Sequence, residues 1–312
     1  ISDEWEIQLS FSKKGKVLIN KNRNKNSPAV SDKKSTQSEQ AHNRTKLRYV
    51  EQGRPYLHEL GITDAHGQII PAMSRKWKQI NKFIEVLSAA INHTGLDKRS
   101  ELHIADFGSG KAYLTFAVHD YLTANLGVKT QVTGVELRQG LVDLCNQTAQ
   151  KLSLTGIKFE QGDVQHFSAQ GINIMIALHA CDTATDDAIR FGLHKQARFM
   201  VLVPCCQAEV AAALRDQKAI ALARTPLSEL WRHPLHTREL GSQVTNVLRC
   251  LYLEAMGYQV TVTELVGWEH SMKNELILAR RTGQRKRAAA ERLRAILAEF
   301  GIPELESRRF KE

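Results

Sequence analysis

Three acidic residues, Asp106, Glu136 and Asp163, each stand where a short β-like run gives out: Leu102–Phe107, Gln131–Glu136 and Lys158–Gln161. Behind the first comes a glycine turn, Asp106-Phe107-Gly108-Ser109-Gly110, and then a helix-like stretch from Tyr113 to Leu122. A strand that turns on two close glycines into a helix leaves backbone N–H groups free and lets a ligand approach where no Cβ intervenes. The nucleotide-phosphate pattern G-x-G-x-x-G fails here, because the third glycine position holds Tyr113. Asp106 argues the same way. A carboxylate at that tip repels a pyrophosphate and suits an amine or a sulfonium.

The other two acids extend that reading. Glu136 can accept both hydroxyls of a ribose, an arrangement a carboxylate suits. Asp163 can accept from an adenine amino group, with Val164 packed on the ring. Any one of them is explained as well by capping of the next helix. All three, in order and on successive strands, point to a nucleoside with an amino-acid tail and no phosphate: S-adenosyl-L-methionine.

Such residues need a parallel sheet to bring their tips together. From Leu102 the chain alternates strand and helix, with further strands over Ile172–Leu178 and Arg198–Val203 and a clear helix over Gly140–Leu152. A helix over Gln243–Met256 and strands Tyr258–Glu264 and Glu275–Ala279 complete an α/β, seven-stranded, doubly wound sheet. Ahead of it, Trp77, Ile80, Phe83, Ile84, Leu87 and Ile91 recur at helical spacing. A helix is expected over Arg48–Leu60, a hairpin from Trp5–Leu9 and Lys16–Asn20, and a polar loop over Asn22–Gln40. The tail, Gln284–Phe300, reads as a basic helix with Leu293, Ile296, Leu297 and Phe300 on one side. The expected division is an N-terminal basic module over 1–74, a cofactor-binding domain over 75–281, and a C-terminal helix and tail over 282–312.

Longer motifs make the reading specific. Asp106–Ala117, Leu178–Asp186 (L-H-A-C-D-T-A-T-D) and Pro204–Gln207 (P-C-C-Q) resemble one branch of the class I S-adenosylmethionine-dependent methyltransferases. The resemblance runs from about Arg44 to Arg280 and takes in Met73–Gln79. It implies the Rossmann-like methyltransferase fold and its cofactor. The cofactor set it suggests is Asp106, Gly108, Ser109, Gly110, Tyr113, Glu136, Leu137, Asp163, Val164, Leu178 and His179, with Lys76 and Gln79 from the helix that closes over the methionine end. Two departures stand out: Ser109 and Ala112 replace a common Cys and Ser, and Ala208-Glu209 replaces a frequent His-Glu. The second removes an imidazole from beside the cysteine pair.

The fourth and fifth tips border the methyl group in that fold. In one reading His179 or Asp182 acts as general base, or positions the acceptor, for in-line transfer to a nitrogen or oxygen. In a second, Cys181 and Cys206 stand where RNA cytosine-5 methyltransferases place cysteines, though the surrounding motifs differ. In a third, His179, Cys181, Cys205 and Cys206 hold a soft metal, which adjacent cysteines would strain. The first reading leads and no metal is expected. Cys145 and Cys250 read as small buried hydrophobes on helices.

Composition adds the partner. The net charge is +10, and nearly all of it arises between Lys13 and Arg48, where eleven basic residues meet only Asp32 and Glu39. A concentrated cationic segment is the electrostatic footprint for a polyanion, here RNA, although a solubilising arm has the same composition. Five cysteines without a disulfide pattern suit a reducing cytoplasm. No apolar run approaches the roughly 20 residues that span a bilayer. The chain opens on Ile1, which leaves room for a preceding segment.

Overall fold

The four-residue runs Ile174–Ala177 and Phe199–Leu202 are buried at every position, which happens when helices cover both faces of a parallel sheet. In the computed structural model the described residues are 5–11, 17–23, 48–96, 101–178, 180, 182–204, 208–216, 224–265 and 275–311. Two compact units appear, Ile1–Lys46 and Leu47–Glu312, so the division falls ahead of the 74/75 boundary read from the sequence.

In the first unit, β1 (Trp5–Phe11) pairs antiparallel with β2 (Val17–Arg23), with Trp5 opposite Arg23 and Phe11 opposite Val17. Of the expected Asn22–Gln40 loop, Asn22 and Arg23 end β2 and the remainder lies outside the described residues.

The second unit is built on β3 (Glu101–Phe107), β4 (Lys129–Glu136), β5 (Ile157–Gln161), β6 (Ile174–Ala177), β7 (Phe199–Leu202), β8 (Tyr258–Glu264) and β9 (Glu275–Arg281). Their order in the sheet is β5-β4-β3-β6-β7-β9-β8. All neighbours are parallel except β9, which runs antiparallel to both β7 and β8. This is the Rossmann-like class I methyltransferase fold. Alternate residues feed two cores. Ile104, Ile174, Ile176 and Val201 join the core that includes α2 (Ser74–Thr94), α3 (Tyr113–Asp120) and α4 (Gln139–Lys151). Ala105, Met175, Ala177 and Met200 join the core that includes α5 (Thr183–His194), α6 (Glu209–Arg215), α7 (Pro234–Ala255) and α8 (Arg287–Glu299).

Prolines move two boundaries. Only Pro55–Glu59 (α1) is helical in the expected Arg48–Leu60 helix, because Pro55 sits in its first turn and leaves Arg54 extended at ψ 127°. The same effect starts α7 at Pro234, nine residues ahead of the expected Gln243, with His233 extended at ψ 143°. The tail holds two helices, α8 and α9 (Glu304–Arg309), separated by Gly301 at φ 66°. Leu293 and Leu297 are buried in the second core, and the tail's cations meet carboxylates: Lys286 and Arg292 pair with Glu254, and Arg309 with Glu209.

Candidate functional site

The glycine turn after β3 is stitched to the end of β4. Gly108 and Gly110 take φ of 71° and 59°, a region an L side chain rarely adopts. The amides of Gly108 and Ser109 donate to Val135 O at 2.8 and 3.3 Å, and the Gly110 amide donates to Glu136 Oε2 at 2.9 Å. The first two acid tips are therefore one hydrogen-bonded unit, reached only after β3 and β4 pair.

Two cavities meet at this turn. One of about 490 Å³ runs over Glu136, Leu137, Gly162, Asp163 and Val164. The other, of about 150 Å³, is lined by Lys76, Asp106, Ser109, Tyr113 and Leu178. Gly108 and Gly110 line both. Of the expected cofactor residues, Gln79 lines neither; it accepts from Lys76 Nζ at 2.7 Å and so steadies a cation that sits 5.4 Å above the Tyr113 ring. Leu137 is 66 % exposed at the rim, an apolar side chain left uncovered beside the larger cavity.

The acids differ sharply in state. Asp106 is buried, and burial pushes its carboxyl up to about 7 against one hydrogen bond from Thr115 Oγ1 at 2.6 Å. Glu136 is also buried, but hydrogen bonds from the Arg138 side chain, the Arg138 amide and the Gly110 amide together outweigh the desolvation, and the net shift is downward. Asp163 is held down by the His166 amide at 2.9 Å and then by the His166 ring at 2.8 Å. Its Oδ1 therefore closes a local turn while the residue lines the larger cavity.

The fourth tip is anchored from a distance. Asp182 precedes α5 at φ 53°, unusual for a side-chain-bearing residue, and its Oδ1 accepts from the Ala208 amide at 3.4 Å. Its carbonyl accepts from Arg249 Nη2 at 2.9 Å. Arg249, fully buried on α7, also grips Asp186 with two bonds, at 2.7 and 2.8 Å. Asp187, the next residue, lines the larger cavity and accepts from Gln165 Nε2 at 2.8 Å. His179, Cys181, Cys205 and Cys206 lie outside the described residues, so of the expected catalytic set only Asp182 is placed. Among the described residues no cluster of three metal-ligating side chains occurs. Cys145 is buried and Cys250 half-buried on their helices, and burial is the leading cause that raises both thiols, to about 11 and about 12.

Sequence reading missed Arg138, Asp187 and the Arg249–Asp186 pair. The first two leave a trace, an arginine two residues after Glu136 and a doubled acid at Asp186-Asp187. Arg249 leaves none, since it is brought to Asp186 only by packing of α7.

The arrangement fits the inferred ligand. An ammonium would give the buried, cation-poor Asp106 its charge partner, and Lys76 stands in the same cavity for a carboxylate. Glu136 keeps acceptor capacity for a ribose, and the larger cavity has the chemistry of an adenine site.

Comparison with known proteins agrees. Residues 75–213, somewhat under half the chain, match the family model described as a methyltransferase domain. The chain is 26 % identical over 221 residues to the glutathione S-transferase C-terminal domain-containing protein of Homo sapiens, covering 65 % of this chain and 33 % of the relative. The Drosophila melanogaster homolog is 26 % identical over 205 residues, covering 57 % and 33 %. The chain thus spans about a third of the length of the curated relatives it matches. Among solved structures it is similar to magnesium protoporphyrin IX methyltransferase from Synechocystis with bound S-adenosylhomocysteine, at 14 % identity and TM-score 0.43, over 73 % of this chain and 93 % of that one. It is also similar to the Pyrococcus abyssi tRNA (uracil-54, C5)-methyltransferase, at 13 % identity and TM-score 0.32, over 62 % and 38 %. The matched domain and the site's chemistry together indicate S-adenosylmethionine as the cofactor.

Proposed function

We propose that this protein is an S-adenosylmethionine-dependent methyltransferase that acts on RNA, at a nitrogen or an oxygen. The observation that carries the enzyme reading is the buried Asp106 carboxylate in the cavity that opens onto the Glu136 cavity through Gly108 and Gly110. The cofactor supplies a methyl group activated by a sulfonium. The chain supplies position: Asp106 and Lys76 hold the amino-acid end, Glu136 the ribose, and Asp163, Val164 and Leu137 the adenine. Transfer from a sulfonium needs chiefly alignment of an acceptor. His179 or Asp182 would orient that acceptor and take its proton as the acceptor–methyl bond forms and the sulfur–methyl bond breaks, the electron pair leaving on a neutral thioether.

The RNA half rests on the Lys13–Arg48 segment, whose positive charge suits a phosphate backbone. Radiolabelled cofactor incubated with total RNA and with a protein fraction tests it; label confined to protein refutes it. Calorimetry with S-adenosylhomocysteine tests the cofactor half, and absence of binding refutes that. Deleting 1–48 should leave cofactor binding intact and lower transfer to RNA. The expected location is the cytoplasm; among the described residues no helix is long and apolar enough to cross a membrane.

A further inference from the structure

At the opposite edge of the sheet from the cofactor cavities lies a second concavity, of about 330 Å³. It forms where α2 ends and where β7 begins beside the end of β9. Its lining includes Arg198, Arg280, Arg281, His93 and Thr94, and no carboxylate among the described residues.

The three arginines that line this hollow have no carboxylate partner among the described residues. Arg280 donates to the neutral amide oxygen of Gln259, and Arg281 to that of Gln196 at 3.0 Å. Arg198 has no ion pair or side-chain hydrogen bond among the described residues. The tail's Arg292 and Arg309, by contrast, reach carboxylates. Three like charges around one hollow repel one another, so folding gains nothing from gathering them. A guanidinium presents a planar fork that matches a phosphate, and three of them unmatched make a site for one.

We propose that this concavity is an anion site that takes backbone phosphates of the RNA substrate, an inference that rests on the RNA reading above. The lining favours backbone over base. It offers no Phe, Tyr or Trp on which a base would stack, and its cations suit phosphate, which positions a strand without reading its sequence. A strand bound there and at the cofactor edge must pass along a sheet about 20 Å tall, so the substrate is an extended or folded RNA and not a nucleotide.

The test uses the full chain saturated with S-adenosylhomocysteine and a labelled structured RNA, with anisotropy read between about 50 and 200 mM salt. Replacing Arg198, Arg280 and Arg281 together with Gln should weaken binding about tenfold or more and reduce the slope of log K against log salt by about 2, near 0.7 for each phosphate no longer neutralised. The triple Lys variant keeps the charge and should keep the slope. The single Arg198→Gln, whose side chain holds nothing in the fold, should lower it by about 0.7 even if the triple variant folds poorly. Unchanged affinity and slope in the Gln variants overturns the inference. So does binding of pyrophosphate that RNA does not displace, which would assign the hollow to a free phosphate compound. Methyl transfer is scored separately. Transfer to RNA with no effect of the arginines sinks this site alone, whereas loss of RNA binding in the Gln variants without any transfer sinks the catalytic reading alone.

Discussion

The two edges of the sheet carry opposite charge and handle it oppositely. At the carboxyl edge, Asp106, Glu136, Asp163 and Asp187 line cavities that also hold Lys76, Lys111 and Arg138. At the amino edge three arginines line a hollow whose described lining holds no acid. Glu136, Asp163 and Asp187 pair with Arg138, His166 and Arg190, whereas Asp106 is buried with no ion pair among the described residues. Burial raises the Asp106 carboxyl well above its ordinary value, whereas Arg198 and Arg281 are exposed to the screening of water. Arg249 makes the contrast within one residue type: fully buried, it exists only as half of a pair with Asp186.

The largest expected effect comes from breaking that pair. Arg249→Met leaves Asp186 buried and uncompensated, and a loss of about 3–5 kcal/mol is expected in denaturant unfolding. The double variant Arg249→Met with Asp186→Leu should recover a good part of it. Asp106→Asn comes next. Removing one charged partner of the cofactor's ammonium should weaken S-adenosylhomocysteine binding roughly 10- to 100-fold, the worth of a charge-assisted hydrogen bond.

The same variant carries a pH signature. Asp106 has a raised pKa in the folded state, so its contribution to stability is full below its ordinary value near 3.8 and is lost as pH rises through about 7. Thermal melts of wild type should therefore fall relative to Asp106→Asn across that window. Cofactor affinity should run the other way, rising with pH as Asp106 ionises against the ammonium; a flat affinity profile between pH 5 and 8 would refute the pairing. Glu136→Gln keeps the shape and loses the charge. A drop of about fivefold in cofactor affinity is expected by calorimetry, from weakening of about 1 kcal/mol in neutral compared with charged acceptors. Arg198→Gln should change thermal stability least, within about 0.5 kcal/mol, since its exposed side chain makes no ion pair or hydrogen bond among the described residues.

The placing of the acids and the glycine turn was legible because their chemistry is local to strand tips. Asp106, the Gly108/Gly110 turn, Glu136 and Asp163 could be read from residue type and order, and the sheet brings them around contiguous cavities. The amphipathic α2 was legible for a similar reason: a 3.6-residue period records which face is buried. Helix starts at Pro55 and Pro234 were misread because apolar periodicity fades at helix ends, where proline chemistry decides. The tail misled in another way. Its lysines and arginines read as a basic helix, yet Lys286, Arg292 and Arg309 direct their charge to Glu254 and Glu209, which no local pattern shows.

By itself the sequence determined the strand and helix periods, the acids at the tips, the glycine turn and the cationic segment from Lys13 to Arg48, all of which depend on neighbours within a few residues. Tertiary structure decided the rest: that Glu136 is braced by Gly110 and Arg138, that Arg249 holds a loop more than sixty residues away in sequence, and that Arg198, Arg280 and Arg281 line one hollow. The physical reason is common to all three. Charge state and pairing depend on burial and on distance through space, and both are set only once the strands are in register.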